Sequence, residues 1–209
     1  AFEPFTEVAA VYYEKLRSDT HLLSNASIIN SNASVRGDVM RFGYASYMTE
    51  LVDTLFGFYD PHPEIYALLK EAFQTFTARS GETIVRLFEI KLLSQIGWFP
   101  ALDVCSLCGR EAKEKVYFSP KQGGILCVNC ERKEAGTIPI SRNAIEIMKT
   151  CTRSRFDNQE LFNRFDYQMN HEIERVIRRF LEYRMDYPVR SRRYLSEVQN
   201  SLKKVYNLL

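Results

Sequence analysis

The sequence predicts an α+β chain, mainly helical, with a four-cysteine zinc module inserted among the helices. Three observations carry that prediction. From Asp38 onward, apolar residues recur at three- and four-residue steps through several long runs, the period of a helix face laid on a core. Residues 5–29 are instead rich in β-branched and aromatic residues around a turn, which is how strands read. Between the helical runs, Cys105-Ser106-Leu107-Cys108 is followed after eighteen residues by Cys127-Val128-Asn129-Cys130.

Taken in order, residues 5–29 read as a hairpin: Val8 to Tyr13, a turn at Arg17-Ser18-Asp19, then His21 to Ile29 with Leu22, Leu23, Ile28 and Ile29. Two strands alone are marginal in water, so the hairpin is expected to belong to a larger sheet or barrel. The chain opens Ala1-Phe2-Glu3-Pro4-Phe5 without an initiator Met, and residues are expected ahead of it. Asn30 to Gly37 is polar and small and reads as a linker. Asp38 caps a helix carrying Val39, Phe42, Ala45, Met48, Val52 and Leu55 inward and closing near Gly57. Asp60-Pro61-His62-Pro63 forms a rigid turn with Pro63 at the first helical position. The helix that follows buries Ile65, Leu68, Leu69, Ala72, Phe73 and Phe76. A third helix, from Glu82 to Ile96, presents Ile84, Val85, Phe88, Leu92 and Ile96, and Gly97 stands where a left-handed C-terminal cap is needed.

Trp98, Phe99 and Pro100 lead into the cysteine module and are expected to pack it onto the helices. Inside it, Val116-Tyr117-Phe118 and Ile125-Leu126 are strands around a turn from Ser119 to Gly124. Pro139-Ile140-Ser141 is expected to start the next helix, with Ser141 as N-cap and Ile145 and Met148 facing the core. Asp157 with Glu160 reads as a capping box. It opens one long helix through Leu161, Phe165, Met169, Ile173, Ile177, Phe180 and Leu181, which Tyr187-Pro188 ends. A last amphipathic segment runs from Val189 to Leu209.

Each C-x-x-C pair lets a tight turn aim two thiolates at one point. Four thiolates supply the closed tetrahedral set that structural Zn²⁺ prefers. Disulfides are the weaker alternative, because no secretory signal precedes them and the chain is too long to need a disulfide framework. A redox pair needs a single C-x-x-C at a helix start after a strand, whereas here two are flanked by turn residues. One structural zinc per chain is therefore expected, on Cys105, Cys108, Cys127 and Cys130. Cys151 falls outside the spacing and reads as a buried free thiol.

Among 209 residues, 45% are hydrophobic and 26% charged, an ordinary globular balance. No apolar run reaches membrane-span length, and the absence of a signal peptide with reduced thiols places the protein in the cytoplasm. The net charge of +2 does not announce a nucleic-acid partner. Its distribution says more: from His171 to Lys204, nine Lys or Arg face five acids. Arg190, Arg192 and Arg193 with Tyr194 interleaved, and Lys121 at the tip of the module, are the residue types that neutralise phosphates or stack on bases. Capping a helix, or pairing with acids of the preceding helix, is the other reading of those arginines. His21, His62 and His171 are scattered, no nucleophile motif accompanies them, and the glycines form no phosphate loop. A closed four-cysteine site keeps no open coordination position for catalysis. Binding is the better class than enzyme.

Several stretches together resemble one family. They are Tyr47 to Leu55 with Glu50-Leu51-Val52-Asp53, and Leu87-Phe88-Glu89-Ile90-Lys91-Leu92-Leu93 ending at Gly97. Pro100, Cys105 to Gly109, Tyr117-Phe118-Ser119-Pro120, Gly123-Gly124 and the second cysteine pair follow. Ile138-Pro139-Ile140-Ser141 and Arg190-Ser191-Arg192-Arg193-Tyr194-Leu195 complete the set. Over nearly the whole chain they resemble the bacterial DNA repair and recombination mediator family RecO, in its zinc-bearing branch. The resemblance implies an N-terminal OB-fold barrel, whose closing strands would be residues 1–33, and a helical domain over 34–104 and 140–209. A four-cysteine zinc module, 105–139, would be inserted in it. It also implies a non-enzymatic mediator that binds single- and double-stranded DNA, anneals complementary strands coated by single-strand binding protein, and works with RecR to load RecA. The helical domain would receive the acidic tail of single-strand binding protein, and the protein would join the nucleoid during repair. The four cysteines match the family's zinc positions, while Lys121, Arg190, Arg192 and Arg193 are where DNA contact is expected. The alternative is a zinc-stabilised adaptor whose basic helical surface recruits acidic tails without touching DNA.

Overall fold

A computed structural model describes residues 3–15, 20–76, 80–113, 115–186 and 189–206. The expected turn at Arg17-Ser18-Asp19 and the Tyr187-Pro188 stop lie outside the described residues. The chain begins with the hairpin of β1 (Glu7–Tyr13) and β2 (Leu22–Asn30), antiparallel as expected. Asn30 to Gly37 is more than a linker: α1 (Ala33–Arg36) forms one helical turn there and buries Val35.

The helices are organised on α4 (Gly81–Gln95). Ile84, Val85, Leu87, Phe88, Ile90, Leu92 and Leu93 are all buried, and a helix that buries apolar residues on more than one face is one that neighbours enclose. Those neighbours are α2 (Val39–Leu55), α3 (Pro63–Thr75), α6 (Arg142–Arg153) and α8 (Tyr167–Arg184). Asp38 caps α2, accepting from the Arg41 N–H at 2.8 Å. Its inward face differs from the apolar stripe: Tyr44, Tyr47 and Leu51 join Ala45 and Met48 in the core, while Val39 is exposed. Tyrosines bury readily where the hydroxyl finds a partner, and Tyr47 donates to Glu89 while Tyr44 accepts from Gln199. Pro63 opens α3 at its first turn, and Gly97 closes the third long helix at φ 73°.

Two expectations in the second half are corrected. Ile138–Ile140 is a strand, β5, not the start of a helix, and it joins β3 (Val116–Ser119) and β4 (Gly124–Cys127) in the order β4-β3-β5. Pro139 lacks an N–H, which an edge strand tolerates. Ser141 does cap α6, accepting from the Ala144 N–H at 3.1 Å. The single long helix from Asp157 is instead two, α7 (Gln159–Asn163) capped by Asn158 and α8 capped by Asp166. Asp166 accepts from the Met169 N–H at 2.7 Å, offering the backbone a fresh start that the even spacing of Leu161, Phe165 and Met169 conceals.

The last helix, α9 (Arg190–Tyr206), lies along α2. Its first N–H groups are capped from outside, Glu50 accepting from Arg190 N at 2.8 Å and Ser191 N at 2.7 Å. Gly43 allows the close approach, because a Cβ there would meet Leu195 Cδ1 at 2.9 Å. The described strands thus form two small antiparallel sheets and no closed barrel. No described helix is long and apolar enough to cross a membrane.

Candidate metal centre and basic surfaces

The three-stranded sheet has two different faces. Val116, Phe118, Ile125, Ile138 and Ile140 belong to the main core, with Phe118 edge-on to Phe180 of α8 at 5.8 Å. Leu126 instead packs with Cys105 and Cys130 in a small separate cluster. Residues 98–101 strap this sheet to the helices. Ala101 exchanges backbone bonds with Gly123 and Ile125, and a Cβ on Gly124 would meet the Ala101 carbonyl at 2.7 Å. Trp98 and Phe99 pack against the main core, and the Arg184 guanidinium lies 5.9 Å over the Trp98 ring.

The four cysteines converge. The sulfurs of Cys105, Cys108, Cys127 and Cys130 all lie within 4.8 Å of one another, and Cys108 to Cys127 is 3.9 Å. Zinc–sulfur bonds of about 2.3 Å give tetrahedral S···S edges of about 3.8 Å, so the cluster has the size and donor set for a single tetrahedral cation. The first turn is closed by Gly109 N to Cys105 O at 2.8 Å, with Gly109 at φ 69°. The second is the entry of the one-turn helix α5 (Val128–Glu131). Burial works to raise the Cys105 thiol, but the backbone N–H groups of Cys127, Cys108 and Leu107 aim at its sulfur, and the balance lowers it to about 6. Cys130 is pushed up to about 12, by burial and then by its thiol neighbours. Such a cluster can bind a metal ion and, with all four donors supplied by protein, leaves that ion no open position. Cys151 lies apart, buried, its thiol pushed up to about 12 chiefly by burial.

Lys121 is exposed on the β3–β4 turn. That turn is braced: Ser119 donates to Glu134 at 2.7 Å, Gln122 Nε2 donates to the same carboxylate at 3.2 Å, and Gly123 takes φ 65°. Beside Lys121 is a hollow lined by Arg179, Glu182 and Tyr183 of α8.

Of the arginines at the start of α9, Arg190 and Arg193 face outward and Arg192 inward. Arg193 pairs with Glu197 at 3.0 Å while remaining 87% exposed. Arg192 is 20% exposed, meets Glu174 at 2.9 Å, and lies 5.6 Å over the Tyr47 ring. From there the network continues inward through Glu89, fully buried, to Arg86 at 2.8 Å. Burial raises the Tyr47 hydroxyl well above its usual range, with the Glu89 charge adding to the effect. Burial also opposes ionisation of Glu174, yet Arg86 and Arg192 more than offset it and hold the carboxyl below its usual range. Between α8 and α9 opens a cleft of ≈ 430 Å³. Tyr47, Leu181, Met185 and Val189 line it, with Arg178 and Arg193 and the acids Glu182 and Asp186 beside them.

Sequence reasoning missed Glu50, Tyr47, Arg86 and Glu89. A usable signal existed for the last two, since Arg86 and Glu89 stand three apart inside an otherwise apolar helical run.

The chain is mainly helical, gathers four cysteines and turns Lys121, Arg190 and Arg193 outward. Residues 36–193 match the family described as "Recombination protein O C terminal". The chain is 31% identical over 180 residues to the DNA repair protein RecO of Desulforamulus reducens, covering 86% of this chain and 70% of that protein. It is 30% identical over 206 residues to the DNA repair protein RecO of Symbiobacterium thermophilum, covering 96% and 80% respectively. The chain belongs to this RecO family of DNA repair and recombination proteins.

Proposed function

We propose that the protein is a non-enzymatic mediator of DNA repair and homologous recombination. It binds single- and double-stranded DNA, anneals complementary strands, and works with RecR to load RecA, in the cytoplasm at the nucleoid. The family match over residues 36–193 is the observation that carries this reading. Annealing requires that phosphate repulsion be screened while strands stay exchangeable, which is work for basic surface rather than for acid–base groups. Lys121, Arg190 and Arg193 are proposed as phosphate contacts. Arg192, engaged with Glu174 and Tyr47, would hold α9 so that its neighbours face outward. The proposed metal is one structural Zn²⁺ on the four cysteines of segment 105–139, inserted in a helical domain of 34–104 and 140–209. Residues 1–33 are proposed as closing strands of an OB-fold barrel.

The test is annealing of complementary oligonucleotides by the full-length protein at rising salt. Each neutralised phosphate on a single strand should contribute a log–log slope of about −0.7. Absent or salt-independent annealing overturns the reading.

One observation favours a second reading. The cleft between α8 and α9 has an apolar floor of Leu181, Met185 and Val189 for the hydrophobic part of the tail of single-strand binding protein, and Arg178 and Arg193, which also meet Glu182 and Glu197, for its acidic part,. In the adaptor form, Arg193→Glu abolishes tail capture and leaves DNA retention unchanged; in the mediator form, DNA retention falls.

A further inference from the structure

We propose that the groove where the three-stranded sheet meets α6 and α8 is a path for a single nucleic-acid strand. Lys115, Arg142 and Arg175 would take the phosphates, and Tyr117 with Pro139 would form the shelf for a base. This rests on the reading that the protein binds DNA, and it adds a place that the basic run at Arg190 did not indicate.

The sheet's alternation builds the shelf. Val116, Phe118, Ile138 and Ile140 are buried, so the residues between them, Tyr117 and Pro139, fall on the opposite face,. Those two are cross-strand partners in the β3–β5 ladder. Pro139 is exposed on the edge strand and Tyr117 half-buried. The groove beside them has a volume of ≈ 560 Å³, and Lys115, Arg142, Arg175 and Glu172 contribute its charged groups.

The electrostatics favour a polyanion. Among the described residues Glu172 is the one acid lining the groove, and its two oxygens already accept from Ser141 N and Ser141 Oγ. Among the described residues, none of the three cations is paired with a carboxylate. Arg142 donates to the Ala112 carbonyl and Arg175 Nη2 to the Pro139 carbonyl at 3.1 Å. Arg175 Nε is buried and has no hydrogen-bond partner among the described residues. Four other arginines of α8 and α9 differ: Arg178 and Arg179 pair with Glu182, Arg192 with Glu174 and Arg193 with Glu197. Unneutralised cations from three elements beside one aromatic ring are the pattern of a single-strand site, where phosphates are tracked and a base stacks.

The groove also gives the cysteine cluster a consequence. Tyr117 and Pro139 come from the sheet on which the second cysteine pair is mounted, and Lys115 directly precedes its strand β3, while Arg142 and Arg175 come from helices of the main core. The site exists only while the two are held together.

The experiment is fluorescence anisotropy of a labelled oligo-dT with the intact protein, its Lys115→Glu and Tyr117→Ala variants, and Arg193→Glu for comparison, each checked for an unchanged melting temperature. Lys115→Glu should weaken binding and make the salt slope shallower by about 0.7. Tyr117→Ala should weaken binding roughly 5- to 150-fold with the slope unchanged. Wild-type binding that both variants retain, slope included, overturns the groove and leaves DNA binding elsewhere standing. So does a groove that captures an acidic peptide while Lys115→Glu leaves oligonucleotide binding intact. No oligonucleotide binding by the wild-type protein overturns both.

Discussion

β1 and β2 form the longer ladder, yet Val11, Tyr12, Tyr13, Leu22, Leu23, Ile28 and Ile29 are all exposed on it. β3, β4 and β5 are three or four residues each and largely buried. Strand length and β-propensity run opposite to burial here. What differs is cover. The short sheet has Phe180 and α8 against one face and the cysteine cluster at the other, whereas the front hairpin is tied to the helices at its base. There Phe5 packs edge-on against Phe42 and Phe73, Lys70 meets Glu7 at 2.7 Å, and Arg36 meets Glu3. A strand's own residues decide that it can form a sheet; the neighbours decide whether that sheet is core.

The sharpest way to break the comparison is to uncover the short sheet. Cys127→Ser removes one of four sulfur donors. Structural zinc supplies about 10–16 kcal/mol in isolated zinc-finger peptides, so this variant should show the largest effect: metal content falling by elemental analysis and protease cleavage appearing within 105–133. Next in size is the other face. Phe118→Ala deletes a fully buried ring lying on Phe180 and should cost about 3–5 kcal/mol in denaturant unfolding, because this sheet belongs to the helical core.

The front hairpin should respond far less. Its tie to α3 is acid-sensitive: the Lys70 ammonium beside Glu7 holds that carboxyl below its usual range. A depressed carboxyl contributes above its ordinary pKa and loses that contribution as pH falls through the folded value. Protection of the β1 amides against exchange, corrected for its intrinsic pH dependence, should therefore be lower at acid pH than above the carboxylate range, and Lys70→Met should shrink the difference, leaving the part due to the Tyr66 hydroxyl that also donates to Glu7. Smallest of all is Ile28→Thr, which stays within about ±0.5 kcal/mol because Ile28 is 59% exposed. A loss of several kcal/mol there would show that the hairpin face is covered after all.

The parts of the fold legible in the sequence were those whose cause is local. The two C-x-x-C pairs bring their sulfurs together, Asp38 and Ser141 cap the residues directly after them, and Gly97 supplies a positive φ where α4 ends. The illegible parts have distant causes. β5 is three residues with a proline at its centre and is made a strand only by pairing with β3. The break before α8 preserves apolar spacing across it, so periodicity passes over the new cap at Asp166. Arg192 looked like its neighbours in the run, and only Glu174 and Tyr47, on other helices, turn it inward. The groove cations Lys115, Arg142 and Arg175 are scattered along the chain and share a surface only once β3, α6 and α8 have packed.

The central claim is that a metal on the four cysteines orders one face of the short sheet while the helical core stands without it. Hydrogen exchange of the intact protein before and after treatment with a strong zinc chelator tests this most directly. Protection should be lost in 105–110 and 124–133 and kept in α4 and α8. An unchanged exchange pattern, or protection lost through α4 and α8 together with the cysteine segment, would contradict it.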